Sequence, residues 1–210
     1  MHVPPPFRED DPGTLRAIIR DARLCQFVTA TAEGPIATPL PMFLEADEGE
    51  LGVLYGHLAK PNPQWKEPVI GDALALFMGA DAYISPSWYP SKQEHGKVVP
   101  TWDYEAVQAF GPAEFSEDAG RLLDVVTRLT GLYEANRAER WRVSDAPEAF
   151  TQAQLKGIVG VRLPISRLIG KRKMSQNRSA ADRAGVARGL ATSEQVRDRP
   201  VARLIRVDDQ

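Results

Sequence analysis

The sequence predicts a mainly β protein of the α+β class, built as an antiparallel barrel with peripheral helices. Three observations lead to this class. About seven short apolar or alternating segments are separated by Gly, Pro and polar turns, a pattern typical of antiparallel strands. Only a few segments show helical spacing. The regular alternation of strand and helix that builds a Rossmann-type sheet is missing.

The composition indicates one globular domain over residues 1–210. Hydrophobic residues make up 43% of the chain and charged residues 26%, which are ordinary values for a soluble protein. No apolar run approaches the roughly 20 residues that span a bilayer, and the N-terminus has no signal-peptide pattern. Cys25 is the single cysteine, so no internal disulfide forms. We therefore expect a cytoplasmic protein with no membrane association.

The net charge of -2 hides an uneven distribution along the chain. Residues 1–164 carry 15 Lys and Arg against 23 Asp and Glu, whereas residues 165–206 carry 11 against 3. Residues 179–210 are predicted to form a helical, basic C-terminal extension. Such a segment is expected to meet a negative partner, either a phosphate group, a nucleic acid, or the acidic body of its own or a partner subunit.

Each element follows from local pattern. Leu15, Ile18 and Ile19 share one face of a predicted helix over residues 14–22. Further helices are predicted after an N-cap at Ser116, between residues 144 and 157, and from a capping box at Ser179. The predicted strands cover residues 24–31, 36–44, 51–58, 73–78, 82–85 after a return at Asp81, 107–115 with a bulge at 111–112, and 158–165 as the last strand.

Two prolines stand at alternate positions of the strand over residues 36–44. Pro39 and Pro41 both lack the N–H that would bond to the same neighbouring strand. The strand is therefore either a simple sheet edge or one side of an open seam that forms a cleft for a flat ligand.

The segment from Gly56 to Lys66 is the densest group of polar residues. His57 and Lys60 are suited to hold a phosphate dianion by charge-assisted hydrogen bonds, and Asn62 is suited to the polar edge of a heterocycle. A turn that carries surface lysines is the alternative interpretation.

Aromatic residues flank a long predicted loop over residues 86–100. Residues 83–89 and 100–104 together hold two of the four tryptophans and three of the five tyrosines. Such residues suit the wall of a site for a planar ring, or the packing of a dimer interface. The basic stretch over residues 171–178 follows the last predicted strand. It is suited to a phosphate, the edge of a ligand or DNA, or else it is a solvated loop.

Several common site types are excluded by missing motifs. The chain has no glycine-rich dinucleotide loop, no Walker-type phosphate loop and no G-x-S-x-G nucleophile motif. One cysteine and three scattered histidines, His2, His57 and His95, do not make a typical zinc site.

Six ordered segments resemble the PaiB-type family of FMN-binding negative transcriptional regulators. They are Met1-His2-Val3-Pro4 with Phe7, Ala37-Thr38-Pro39-Leu40-Pro41, Gly56-His57-Leu58-Ala59-Lys60-Pro61-Asn62-Pro63-Gln64-Trp65, Tyr83-Ile84-Ser85-Pro86-Ser87-Trp88-Tyr89, Pro100-Thr101-Trp102-Asp103-Tyr104, and Lys173-Met174-Ser175-Gln176-Asn177. Pro39 stands where this family often has His, and Pro61 where a small residue is common.

The resemblance implies a homodimeric split β-barrel related to pyridoxamine-phosphate-oxidase-like flavoproteins, with FMN in the groove between two subunits. Thr38 and Leu40 would line the ring system of the flavin. His57, Lys60 and Asn62 would lie near its phosphate and ribityl chain. The residues that would close the site, some of them from the partner subunit, are Trp88, Trp102, Lys173 and Gln176.

Three functions are compatible with these features. The first is a flavin-binding regulator, in which arginines between Val196 and Arg206 would contact DNA phosphates, although no helix-turn-helix motif is recognisable. The second is a flavin-dependent oxidoreductase, a reductase of flavin or of another small molecule. The third is a haem-binding split barrel, with His57 or His95 as the axial ligand.

Overall fold

A computed structural model describes residues 1–207, so residues 208–210 of the predicted C-terminal extension lie outside the described residues. The chain divides into two compact units. The first contains Met1–Asp21, Met78–Val107 and the described residues from Ile169 onward, and the second contains Ala22–Phe77 and Gln108–Leu168. The single-domain arrangement over residues 1–210 stays a prediction.

Ten strands and six α-helices are present in the part of the chain that the structure describes. The strands are β1 (Arg8–Glu9), β2 (Cys25–Thr31), β3 (Gly34–Leu40), β4 (Met42–Glu45), β5 (Val53–Ala59), β6 (Ala73–Ile84), β7 (Thr101–Gly111), β8 (Glu114–Ser116), β9 (Ile158–Pro164) and β10 (Arg167–Lys173). The helices are α1 (Pro12–Asp21), α2 (Ser91–His95), α3 (Ala119–Glu134), α4 (Glu148–Leu155), α5 (Ala180–Ala191) and α6 (Asp198–Leu204).

The first unit has the strand order β1-β10-β7-β6. Strand β1 pairs antiparallel with β10, with Arg8 opposite Lys171. Helices α5 and α6 supply much of the apolar core, where Val186, Leu190 and Val201 are fully buried and pack with Tyr89. The burial of these side chains is the main source of stability for the helical C-terminal segment.

The second unit contains the order β6-β2-β3 and a four-stranded sheet, β4-β5-β9-β8. Neighbouring strands pair antiparallel in both, with His57 on β5 opposite Gly160 on β9. Helix α3 buries Leu122, Val125 and Leu129, two of which pack against Phe43 of β4. Antiparallel sheets with added helices confirm the predicted mainly β, α+β class.

The proline-containing strand differs from the prediction, which was wrong in treating residues 36–44 as one strand. The chain ends β3 at Leu40 and starts β4 at Met42, in a different sheet. Pro41 stands at the break, where its missing N–H removes a ladder bond. Pro39 lies on β3, which pairs only with β2, so its missing donor falls on an edge strand.

Three other boundaries were predicted wrongly. Strand β6 runs without a break through Asp81, where a return was predicted. Strand β7 begins at Thr101 and ends at Gly111, and the predicted bulge at Gly111-Pro112 is a break that separates β7 from β8. A Cβ at Gly111 would collide with the carbonyl oxygen of Pro164, so only glycine fits this approach of two backbones.

Three segments that were predicted as loop or helix cap have a different structure. Residues 167–173 form β10, which the prediction missed because four of the seven are basic. Helix α3 is capped by Asp118, which accepts from the N–H of Arg121, and not by Ser116. The long loop contains a 3-10 turn over Pro86–Trp88 and the short α2.

Candidate functional site

Gln64 is the centre of a buried polar cluster in the second unit. Its side chain is fully buried, and its amide nitrogen donates to the carbonyl oxygens of Phe27 and Ile36 and to Oγ1 of Thr29, at 3.1–3.2 Å. The amide oxygen accepts from Oγ1 of Thr38 at 2.6 Å. Gln64 therefore ties the 3-10 turn Pro63–Trp65 to both β2 and β3.

Thr38 and Asn62, two of the predicted site residues, belong to the same cluster. Nδ2 of Asn62 donates to Oγ1 of Thr38 at 2.9 Å, and Oδ1 of Asn62 accepts from the N–H of Gln64 at 2.9 Å. The second contact caps the 3-10 turn and fixes the amide of Asn62. Leu40, two residues beyond Thr38, is only 2% exposed and belongs to the core.

His57 lies on the face of β5 that it shares with Tyr55. Its Nδ1 is buried and has no hydrogen-bond partner among the described residues. Burial lowers the pKa of the imidazole below its usual value of 6.5, so the ring is neutral at neutral pH. A neutral imidazole with an unused nitrogen is able to bond to a ligand or to coordinate a metal.

Lys60 follows the end of β5 and forms an ion pair with Glu117. Both side chains are nearly half exposed, so this pair contributes little to stability. The carbonyl oxygen of Lys60 accepts from the indole N–H of Trp65 at 3.0 Å, which fixes the backbone here. The ammonium group remains accessible to a phosphate that displaces Glu117.

The first unit holds the other four predicted residues. Nζ of Lys173 donates to Oγ1 of Thr101 at 2.8 Å, to the carbonyl oxygen of Trp102 and to Oδ1 of Asp103 at 3.2 Å. The indole of Trp102 is 48% exposed and makes an edge-to-face contact with Tyr83. Gln176 accepts from the N–H of Met174 and donates to the carbonyl oxygen of Arg172, which closes a tight turn.

Trp88 packs against α5. A Cβ on Gly189 would lie 2.5 Å from Cγ and Cε2 of the indole, so the glycine makes room for the ring. Gly185, one turn earlier, allows the carbonyl oxygen of Trp88 to approach the helix. Asp182 accepts from both the N–H and the hydroxyl of Ser91, which anchors the segment after Trp88 to the same helix.

The nine predicted residues thus fall into two groups, five in the second unit and four in the first. The structure joins Thr38 to Asn62 and Lys173 to Trp102 directly. Sequence reasoning missed Gln64, Asp103 and Ser175 as individual contributors, although all three lie in segments singled out for their polar, aromatic or basic residues. Their burial, which the sequence does not display, gives them their roles.

A cavity of about 870 Å³ lies between α3 and the four-stranded sheet of the second unit. Arg162 lines the cavity and pairs with Glu48 at 2.6 Å and Glu114 at 2.8 Å. Its Nε donates to the hydroxyl of Tyr55. The Arg162 hydrogen bond holds the pKa of the Glu48 carboxyl below its usual range. None of the nine predicted residues lines this cavity, and no sequence pattern indicated it.

Other site types are not supported. Within residues 1–207, no group of three or more His, Cys, Asp or Glu side chains is placed to hold a metal ion. No helix in the same residues is long and apolar enough to cross a membrane. Burial raises the pKa of the Cys25 thiol to about 12, so this side chain is an unreactive part of the core.

Comparison with known families identifies the chain. Residues 1–167 match the family FMN_bind_2, described as "Putative FMN-binding domain". The chain belongs to this FMN-binding family. A relative from Bacillus subtilis (strain 168), "Protease synthase and sporulation protein PAI 2", is 30% identical over 206 residues, which cover 98% of this chain and 96% of the relative. The PaiB-type resemblance predicted from the six segments is confirmed.

Solved structures show the same fold at low identity. The flavocytochrome Anf3 from Azotobacter vinelandii matches with a TM-score of 0.58 and 16% identity, over 80% of this chain and 69% of that protein. The FAD and heme binding protein from Mycobacterium smegmatis matches with a TM-score of 0.55 and 15% identity, over 80% and 73%. This FMN_bind_2 member therefore has the predicted split-barrel fold.

Proposed function

We propose that this FMN_bind_2 protein is a cytoplasmic, homodimeric FMN-binding regulator that represses transcription according to its ligand state. The residues proposed to bind FMN, directly or by holding a neighbouring group, are the nine predicted from the sequence: Thr38, Leu40, His57, Lys60, Asn62, Trp88, Trp102, Lys173 and Gln176. The observation that carries the FMN part is the unpartnered, buried Nδ1 of His57, three residues before the accessible ammonium group of Lys60.

The polar and charged side chains of the second unit fit the chemistry of FMN. His57 Nδ1 is a buried atom with no hydrogen-bond partner in the described chain, and a hydroxyl of the ribityl chain would satisfy it after the side chains that cover it move aside. Lys60 supplies a positive charge for the phosphate, and Asn62 and Thr38 are held rigidly by Gln64. When bound, FMN would supply electron transfer, while the protein supplies orientation and electrostatics.

The test compares the binding of FMN with that of riboflavin, which lacks the phosphate. Lys60→Ala is expected to weaken FMN binding by about 1.5–3 kcal/mol, because a charged hydrogen bond is lost, and to leave riboflavin binding unchanged. Quenching of flavin fluorescence on titration with protein measures both affinities.

Lys66→Ala is the matched control. Lys66 lies six residues further along and its ammonium group is 5.2 Å from the centre of the Trp65 ring, so its loss should affect neither ligand. Wild-type affinity for FMN in the Lys60→Ala variant would remove Lys60 from the site. Wild-type protein that fails to bind either flavin would refute the FMN part of the proposal.

The regulator part is supported by membership of the PaiB-type family and by the basic C-terminal segment. Arginines at positions 197, 199, 203 and 206 lie in or beside α6, where phosphate contacts would be salt-dependent. An electrophoretic mobility shift with DNA from upstream of the gene that encodes the protein, measured at low and high salt, tests it. Absence of a shift even at low salt would leave a flavin-dependent oxidoreductase as the better proposal.

Haem binding is a second candidate, because the unused nitrogen of His57 belongs to a neutral imidazole, the form that ligates iron. Titration with haemin should then give a Soret band that His57→Ala abolishes. His95→Ala is the control, since His95 is exposed and its Nδ1 already accepts from the N–H of Lys97. A band that survives in His57→Ala would exclude this ligand.

A further inference from the structure

Asp103 is a fully buried carboxylate near the start of β7, in the first unit. Its Oδ2 accepts from the hydroxyl of Ser175 at 2.6 Å, and its Oδ1 accepts from Nζ of Lys173 at 3.2 Å. A buried charge is tolerated only when it is paired and hydrogen-bonded, and these two contacts satisfy that requirement. Asp103 therefore holds the end of β10 and the turn after it in one place.

Lys173 has no donor left for a ligand. An ammonium group has three N–H bonds, and those of Lys173 are taken by Thr101, Trp102 and Asp103. Its side chain is only 19% exposed, and its charge is compensated by Asp103. A phosphate would have to displace a buried carboxylate to reach it, whereas Lys60 has only an exposed partner.

The turn after Lys173 is strained and held by side chains. Ser175 has a φ of 58°, in the left-handed region, and is the sole non-glycine residue with positive φ in residues 1–207. Such a conformation persists where surrounding contacts impose it. Here Asp103 bonds to Ser175, and Arg178 at the end of the turn lies 4.7 Å from the centre of the Tyr89 ring.

The group that Lys173 holds in place is the backbone of Trp102. The carbonyl oxygen of Trp102 bonds to Lys173, while the indole extends outward and contacts Tyr83. Both aromatic side chains are almost half exposed, which leaves their surfaces open to a planar ring.

We propose that Asp103 and Lys173 are positioning residues, which act as one buried ion pair to fix Trp102 and the turn at Ser175 for contact with the flavin ring. This inference rests on the proposed FMN site, and it makes Lys173, predicted to help close that site, a support for Trp102 and the turn. Asp103 gains a role that the sequence patterns did not indicate.

The two roles of Lys173 predict different ligand selectivity. A phosphate ligand favours FMN over riboflavin, whereas a support for the ring affects both flavins equally. Asp103→Asn and Lys173→Met should each weaken FMN and riboflavin by the same factor, about tenfold, as measured by quenching of flavin fluorescence. The double variant should be no weaker than either single variant, because the two side chains act as a unit.

Glu105→Gln is the matched control. Glu105 lies two residues along β7, is also buried, and pairs with the guanidinium of Arg172 at 2.8 Å rather than with Lys173 or Ser175. Its substitution also removes a buried charge, so Glu105→Gln should lower the melting temperature as Asp103→Asn does. It should leave the affinities for FMN and riboflavin unchanged. Ser175→Ala is the milder variant if Asp103→Asn does not fold, and it should weaken both flavins by one smaller factor.

The outcomes separate this inference from the function on which it rests. Loss of FMN binding alone in Lys173→Met would make Lys173 a phosphate ligand and overturn the inference. Unchanged affinities in Asp103→Asn, or an equal loss in Glu105→Gln, would overturn it too while FMN binding by the wild type stands. A wild-type protein that binds neither flavin would refute both proposals.

Discussion

Gln64 illustrates at the scale of one residue how a buried amide organises a polar segment. It makes four side-chain hydrogen bonds that reach β2 and β3, and none of its surface is exposed. Gln64→Leu keeps a similar volume but leaves several buried groups without partners, each at a cost of about 1–3 kcal/mol.

The expected result of Gln64→Leu is a loss of about 3 kcal/mol in the free energy of unfolding, measured with urea. Gln26→Leu is a suitable control, because Gln26 lies on β2 with an exposed side chain and its substitution should change stability by less than about 0.5 kcal/mol. Similar losses in the two variants would contradict the importance of the buried amide.

The burial of His57 predicts how the stability of the protein depends on pH. Because burial lowers its pKa in the folded protein, the unfolded chain takes up a proton at a higher pH than the folded chain does. The stability that accompanies neutral His57 is therefore complete above about pH 6.5 and is lost as the pH falls below that value.

The melting temperature of the wild type should fall between pH 7.5 and pH 5.5, and His57→Gln should show a smaller fall. His95→Gln, which changes an exposed histidine, should keep the wild-type pH dependence. An unchanged fall in His57→Gln would mean that other groups control the acid sensitivity.

At the scale of elements, helix α5 packs closely against Trp88. Gly189 and Gly185 face Trp88, whereas a Cβ added to Gly131, near the end of α3, would meet no atom within 4 Å. An Ala in place of Gly normally favours a helix by about 1 kcal/mol. The same substitution should therefore have opposite effects in the two helices.

Gly189→Ala is expected to destabilise the protein by about 1–3 kcal/mol, because the new methyl group collides with the indole. Gly131→Ala should stabilise it by about 0.5–1 kcal/mol. Thermal unfolding measures both, and tryptophan fluorescence should change only in Gly189→Ala. A stabilised Gly189→Ala variant would show that Trp88 does not pack on α5.

Local patterns predicted the elements whose two faces differ in polarity. Strands β2, β5 and β9 and helix α1 begin and end within two residues of their predicted bounds, because alternating or helically spaced apolar residues define them. Strand β10 was missed because its basic side chains pair with partners distant in sequence, such as Glu105 for Arg172. Polar strands of this kind are specified by tertiary contacts.

The residues of the candidate site also divide into those that a local pattern indicates and those whose role depends on tertiary contacts. His57, Lys60 and Asn62 were predicted because polar residues cluster after an apolar strand. Asp103 was not, because residues 100–104 were noted for their aromatic side chains and a single carboxylate among them gives no sign of its burial. Lys173 was predicted to help close the site, and its three donors bond to Thr101, Trp102 and Asp103, which the sequence does not display.

For the whole molecule, the proposed homodimer links assembly to ligand binding. A ligand that binds only the dimer must stabilise the dimer, by about 2.7 kcal/mol when its free concentration is a hundred times its dissociation constant. Exposed aromatic side chains such as Trp102 and Tyr83 are typical of surfaces that become buried in an interface.

The affinity for FMN should consequently fall when the protein is diluted below the dissociation constant of the dimer. Saturating FMN should shift the sedimentation of dilute protein from monomer to dimer. Trp102→Ala is expected to weaken the dimer and the FMN affinity together, because it removes a large exposed indole. Phe150→Ala removes an exposed aromatic ring from α4 and serves as the control. A monomer that binds FMN with the same affinity at every protein concentration would contradict the linkage, since a site completed by a second subunit cannot be independent of assembly.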